Sequence, residues 1–154
     1  MASKSSKPKS AIAMLTADHQ KVKDLFDEYD SAEESSERKT IAEQVFHELE
    51  IHTQLEEDIF YPAVAKGGDE PKKLVAEARK EHGKVKQLIA SLRKLEASDE
   101  KYDELFQELM ENVEHHVKEE EDELFPMAKS ELGVEVEDLG AKMQEEKRHL
   151  GAHV

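Results

Sequence analysis

Histidine and glutamate recur in this chain at a spacing suited to holding metal. His19, inside Asp18-His19-Gln20-Lys21-Val22-Lys23, is followed by a His-x-x-x-Glu at His52 and Glu56. The order returns as Glu81-His82-Gly83-Lys84-Val85-Lys86, then His116 and Glu120. The copies are offset by 63 residues for the single His and 64 for the His-x-x-x-Glu, and both of the latter stand ten residues before a proline, Pro62 or Pro126. Imidazole nitrogen and carboxylate oxygen are ligands for first-row transition metals. A duplicated set of them points to two ions.

Helical register strengthens the pattern. At about 100° and 1.5 Å per residue, the members of a His-x-x-x-Glu lie about 40° and one turn apart on one face. All six groups then point where the core should be, and burying imidazoles and carboxylates there is unfavourable unless something compensates. A metal pair is the simplest compensation. Taken singly, each element is weak: a lone His on an apolar stripe is more often a hydrogen-bonded core residue, and one His-x-x-x-Glu arises easily among 37 acidic residues. The conjunction over four stripes decides. His47 sits about 140° round from His52 and has no counterpart in the repeat, so it reads as a surface residue. His115 has Glu119 at the same spacing but lacks the repeat alignment of His116. His149 and His153 share a C-terminal turn that is expected to fray. The run Glu119 to Glu123 reads as solvated surface apart from Glu120.

These residues need helices to position them, and the sequence supplies little else. Ile12, Leu15, His19, Val22 and Phe26 form one stripe over Ser10 to Ala32. After a polar turn over Ser31 to Glu37, a second helix over Glu37 to Lys66 aligns Ile41, Val45, Leu49, His52, Glu56 and Ile59, with Pro62 expected to bend or break it. Gly67 to Pro71 is a loop. A third helix over Pro71 to Ala97 aligns Val75, Ala78, His82, Val85, Ile89 and Leu92. Ser98 and Asp99 can cap a fourth, running to about Leu132 and aligning Leu105, Leu109, His116, Glu120 and Met127. The expectation is an all-α, antiparallel up-and-down four-helix bundle over residues 11–132. A basic, disordered tail over residues 1–10 precedes it, and an additional C-terminal helix over 133–154 packs on it.

Composition narrows the function. The 154 residues fit one domain, and the net charge of -15 disfavours nucleic acid and anionic membranes as partners. With no Cys there is no disulfide, thiolate zinc site, iron–sulfur ligation or Cys nucleophile. No apolar run approaches the ~20 residues of a membrane span, and the short apolar stretch after the tail is too brief for a secretory signal. The expected location is cytoplasmic.

The order His19, His52-x-x-x-Glu56, His82, His116-x-x-x-Glu120, with the tails Asp58-Ile59-Phe60-Tyr61-Pro62 and Asp122-Glu123-Leu124-Phe125-Pro126, resembles the hemerythrin-like family, the His-His-Glu cation-binding domain. The resemblance covers about Ile12 to Met127. It implies two iron ions bridged by two carboxylates and an oxo or hydroxo group, with His19, His52, Glu56, His82, His116 and Glu120 as ligands. Dioxygen, or another small diatomic or peroxide ligand, would be bound or sensed there. An enzyme acting on peroxide or nitric oxide is the alternative, and iron storage or donation another; the redox partner is open. Oxygen-carrying members place a further His one turn after the third-helix His, where this chain has Lys86. If Lys86 faces the metals, Lys86→His should supply a fifth imidazole. Glu48, Glu123 and Tyr61 are further side chains considered for an open position, although Tyr61 points away from His52 in an unbroken helix. Metal removal is expected to lower the melting temperature, the more so as pH falls.

Overall fold

The computed structural model describes residues 10–151, all of them in helices or the short links between helices. Helix α1 (Ala11–Ser31) begins where the Ser10 hydroxyl accepts the Ala13 N–H at 3.1 Å, satisfying one of the free donors of the first turn. Helix α2 (Ser35–Leu55) runs into a π turn at Glu56–Phe60 and continues as α3 (Tyr61–Ala65). Gly68, at φ 137°, turns the chain into α4 (Asp69–Arg93), with Asp69, Glu70 and Pro71 in its first turn. The Asp99 carboxylate accepts the Lys101 N–H to open α5 (Glu100–Glu119). A second π turn, Glu120–Leu124, leads into α6 (Phe125–Leu132), and Gly133 at φ 54° precedes α7 (Glu135–Gly151).

Four antiparallel rods result: α1, α2 with α3, α4, and α5 with α6. α1 pairs with α2 and α4 with α5, while α7 lies against α1 and α2. The expected tail over residues 1–10 falls outside the described residues except for Ser10, as does His153.

Two apolar clusters fill the bundle. One, at the end where α1 turns into α2, includes Phe26, Tyr29, Phe46, Leu92 and Phe106; Tyr29 and Phe106 stack at 3.9 Å. The other, at the opposite end, joins Leu15, Leu55, Phe60, Val64, Leu124 and Phe125 to Val136 and Met143 of α7. Between them lies one polar layer.

The π turns are where the observed helices part from a simple 3.6-residue count. Each closes with an i→i−5 bond, Tyr61 N–H to Glu56 C=O and Phe125 N–H to Glu120 C=O. Each also ends one residue short of a proline, which has no N–H to give and would crowd the carbonyl four residues back in a regular α-helix. The widened turn absorbs that conflict without breaking the rod, and it shifts the buried face by one residue. Phe60 and Tyr61 are buried while Ile59, which a straight helix would have turned inward, is only half-buried.

Candidate metal centre

The polar layer gathers His19, His52, Glu56, His82, His116 and Glu120, each no more than 8% exposed. Their donor atoms fall into two sets of four within 4.8 Å of one another: His19, His52, Glu56, Glu120 and Glu56, His82, His116, Glu120. The two carboxylates are common to both sets. Glu56 presents one oxygen to His52 Nε2 at 3.3 Å and the other to His82 Nε2 at 2.9 Å. Glu120 presents one to His19 Nε2 at 3.1 Å and the other to His116 Nε2 at 3.3 Å.

Side chains alone do not complete this layer. His52 Nε2 and Glu56 Oε2, although 3.3 Å apart, are buried without a hydrogen bond. An unmet buried donor or acceptor costs about 1–3 kcal/mol, and here the two atoms belong to groups that both ligate metals. The His/Glu cluster fits a metal site on this ground as well as on its donor chemistry.

A second tier of carboxylates fixes the four rings, each accepting from Nδ1. Asp18 holds His52 at 3.0 Å, Glu81 holds His116 at 2.6 Å, Glu57 holds His82 at 2.7 Å and Glu121 holds His19 at 2.8 Å. Such partners orient a ligating imidazole and raise its basicity. The tier obeys the sequence repeat: Asp18 and Glu81 precede the single His of each copy, while Glu57 and Glu121 follow each His-x-x-x-Glu. Sequence reasoning missed the contacts of all four; Glu121, read as solvated surface, is indeed exposed yet still reaches the His19 ring. The signal was present as an acid at matching places in both copies. Two of the four are themselves anchored, Asp18 by Lys147 of α7 at 2.5 Å and Glu57 by Lys86 at 3.2 Å.

Tyr61 is the chief correction to the sequence reading. Its hydroxyl donates to Glu120 at 2.5 Å and stands 3.0 Å from Glu56, 3.2 Å from His82 Nε2 and 3.4 Å from His116 Nε2. The first π turn brings it round from the outward direction it would have in an unbroken helix. The equivalent residue of the second copy, Phe125, stacks on the His19 ring at 5.7 Å. One half of the layer therefore faces a phenol and the other a plain aromatic ring.

The remaining candidates lie apart. Lys86 is exposed and reaches out to Glu57, so it does not face the centre. Glu48 pairs with Lys21 at 2.9 Å, and Glu123 is exposed. His47 is half-buried, and exposed His115 pairs with Glu119 at 2.8 Å.

Electrostatics follow from the crowding. Burial alone would lower the pKa of the His116 imidazole, but hydrogen bonds to Glu120 and Glu81 outweigh it and push it up to about 10. At His52 burial is likewise overcome, by the Glu56 charge and the Asp18 hydrogen bond, and its pKa lies well above the usual imidazole range. Burial and the charges of Glu56 and Glu120 keep the Tyr61 phenol protonated. A bound cation inverts this balance, favouring neutral imidazole.

A cavity of about 20 Å³ adjoins the imidazoles, walled by Val22, Leu49, Val85, Val113 and Val117. It has room for about one water-sized molecule. A surface groove between α1 and α5 shares His19, Val22, Val113 and Val117 with it.

Residues 10–128 match the family model described as hemerythrin HHE cation binding domain. An uncharacterized hemerythrin-like protein of Schizosaccharomyces pombe is 29% identical over 77% of this chain and 59% of its own length. A DNA nickase of Nostoc is 25% identical over 79% of this chain but 34% of its own. The chain thus spans between a third and three fifths of these relatives. The crystal structure of a hemerythrin HHE cation binding domain-containing protein from Mycobacterium kansasii superposes with a TM-score of 0.80 at 28% identity, covering 92% of this chain and 87% of that one.

Proposed function

From the premise that this chain belongs to the hemerythrin HHE cation-binding family, we propose that its metal is a pair of irons and that it binds dioxygen or a related small oxidant. His19 and His52 would hold one iron and His82 and His116 the other, with Glu56 and Glu120 bridging them and an oxo or hydroxo group completing the bridge. Such a pair supplies the electrons that a bound oxidant takes up. The observation that carries the reading is the small apolar cavity against the four imidazoles, whose volume of about 20 Å³ suits a water-sized ligand. The valines wall it with apolar surface, and the α1–α5 groove offers a way in past Val113 and Val117. Asp18, Glu57, Glu81 and Glu121 hold the four rings in one tautomer, so that Nε2 is the free ligand atom of each.

A second reading, turnover of peroxide or nitric oxide, is favoured by Tyr61. Its hydroxyl sits between both carboxylates and within 3.4 Å of His82 and His116 Nε2, a proton donor within the ligand layer itself. Reversible carriage does not call for such a donor, whereas O–O cleavage does. Nickase activity is not carried over: the chain spans only 34% of that relative, and its net charge of -15 opposes a polyanion.

The test is anaerobic loading with ferrous iron, a count of ions per chain, then exposure to air with the spectrum followed in time. The reading expects two irons and an optical change on exposure. Reversal of that change under vacuum marks a binder, and catalytic loss of added peroxide marks the enzyme. A chain that retains fewer than two irons, or shows no optical change, refutes the proposal.

A further inference from the structure

We propose a third metal site, at the surface, where Glu81, His115 and Glu119 take a divalent transition-metal cation on its way to the buried pair. The delivery role rests on the di-iron reading above; the site itself does not. Each of the three residues offers a ligand atom within 4.8 Å of the others. His115 Nε2 lies 2.8 Å from Glu119 and 3.7 Å from Glu81. One imidazole with two carboxylates suits first-row divalent ions, and His115, with its side chain 67% exposed, is open to solvent.

Two further observations distinguish this cluster from an ordinary acidic surface. Glu81 belongs to both sites, because its other oxygen accepts from His116 Nδ1 at 2.6 Å. A small pocket between α4 and α5 is lined by Glu81 and Glu119, two of the three surface ligands, together with buried His116 and Glu120. Second, the repeat is broken here in an informative way. The residues equivalent to His115 and Glu119 in the first copy are Ile51 and Leu55, which belong to the apolar cluster that α7 joins, and there Lys147 takes the free oxygen of Asp18. In the second copy the free oxygen of Glu81 meets His115 instead. The face that α7 leaves open is the one that carries ligands.

The experiment uses the full chain and the variant His115→Ala/Glu119→Gln, which leaves Glu81 and all six inner residues in place. Iron is counted first; zinc is then titrated by calorimetry into the iron-loaded chain, and ferrous uptake by metal-free chain is followed by stopped flow. The wild type should bind one zinc per chain beyond its two irons. The variant should bind none, fill to the same iron content, and do so roughly ten-fold more slowly, the scale on which local charge alters cation capture. Absence of zinc binding by the wild type, or its persistence in the variant, overturns the site. Equal uptake rates overturn delivery. Zinc binding that the variant loses, in a chain that never holds two irons, refutes the di-iron reading and the delivery role with it.

Discussion

Asp18 and His52, on neighbouring helices, meet at 3.0 Å through the one ring nitrogen that points away from the polar layer. Asp18→Asn keeps the shape and replaces the accepting carboxylate with an amide, so ring orientation and basicity both suffer. Metal affinity, read by chelator competition, should fall about 10- to 100-fold, as for other partners of ligating histidines. Glu81→Gln should act similarly through His116. Unchanged affinity in both would show that the second tier does not hold the rings.

The pH dependence of metal-free protein should run opposite to the sequence expectation. Because the pKa values of His52 and His116 are raised, the latter to about 10, their contribution is complete below the unfolded value near 6.5. It is lost as pH rises through the folded value, so metal-free protein should melt lower at pH 9 than at pH 7. Asp18, Glu57, Glu81 and Glu120 are depressed by their hydrogen bonds to histidine, which overcome the opposing effect of burial. Their contribution is present above about pH 4 and is lost below it as they protonate. A melting temperature that rises from pH 7 to pH 9 would contradict this.

The same shifts require metal binding to expel protons at neutral pH, since His52 and His116 must surrender theirs. Calorimetric titration in two buffers of different ionisation enthalpy should show proton release, and affinity should climb with pH. Equal apparent enthalpies in the two buffers would mean the imidazoles were already neutral.

Tyr61→Phe removes the hydroxyl from between Glu56 and Glu120. The fold should survive, with a stability change on the order of 1–3 kcal/mol in metal-free protein. Two ions should still bind, but the optical spectrum after exposure to air and the rate of peroxide loss should both change. If neither moves, the phenol is a packing element only.

Lys86→His should leave iron content and spectrum as they were, because residue 86 lies outside the centre. What it removes is an exposed pair with Glu57, worth about 0–1 kcal/mol. A slower oxidation with an altered spectrum would mean the substituted ring had reached the metals.

The duplicated spacing made the bundle and the gathering of all six inner residues legible, because helical register alone turns His19, His52, Glu56, His82, His116 and Glu120 toward one axis. It failed past Glu56 and Glu120, where the chain departs from 3.6 residues per turn. Counting straight through those turns hid Tyr61. The outer carboxylates were hidden differently, for Glu57 and Glu121 sit beside the buried face and reach sideways to a neighbouring helix. Periodicity within one helix carries no trace of such a contact. The direction of Lys86 stayed open in the sequence, because its alignment with His82 says nothing of the long stem that carries its charge back to water.

Tyr61 and Phe125 occupy matching places, yet one brings a hydroxyl to His82 and His116 and the other lays a bare ring on His19. A two-iron occupant with identical inner donors would thereby lose its degeneracy. If the occupant is a pair of irons, Mössbauer spectra should resolve two quadrupole doublets of equal area, because the two ions would have unlike neighbours; a single doublet would mean that the difference does not reach them. A ligand pattern repeated in sequence thus yields an asymmetric site, in which two bound ions would not be interchangeable.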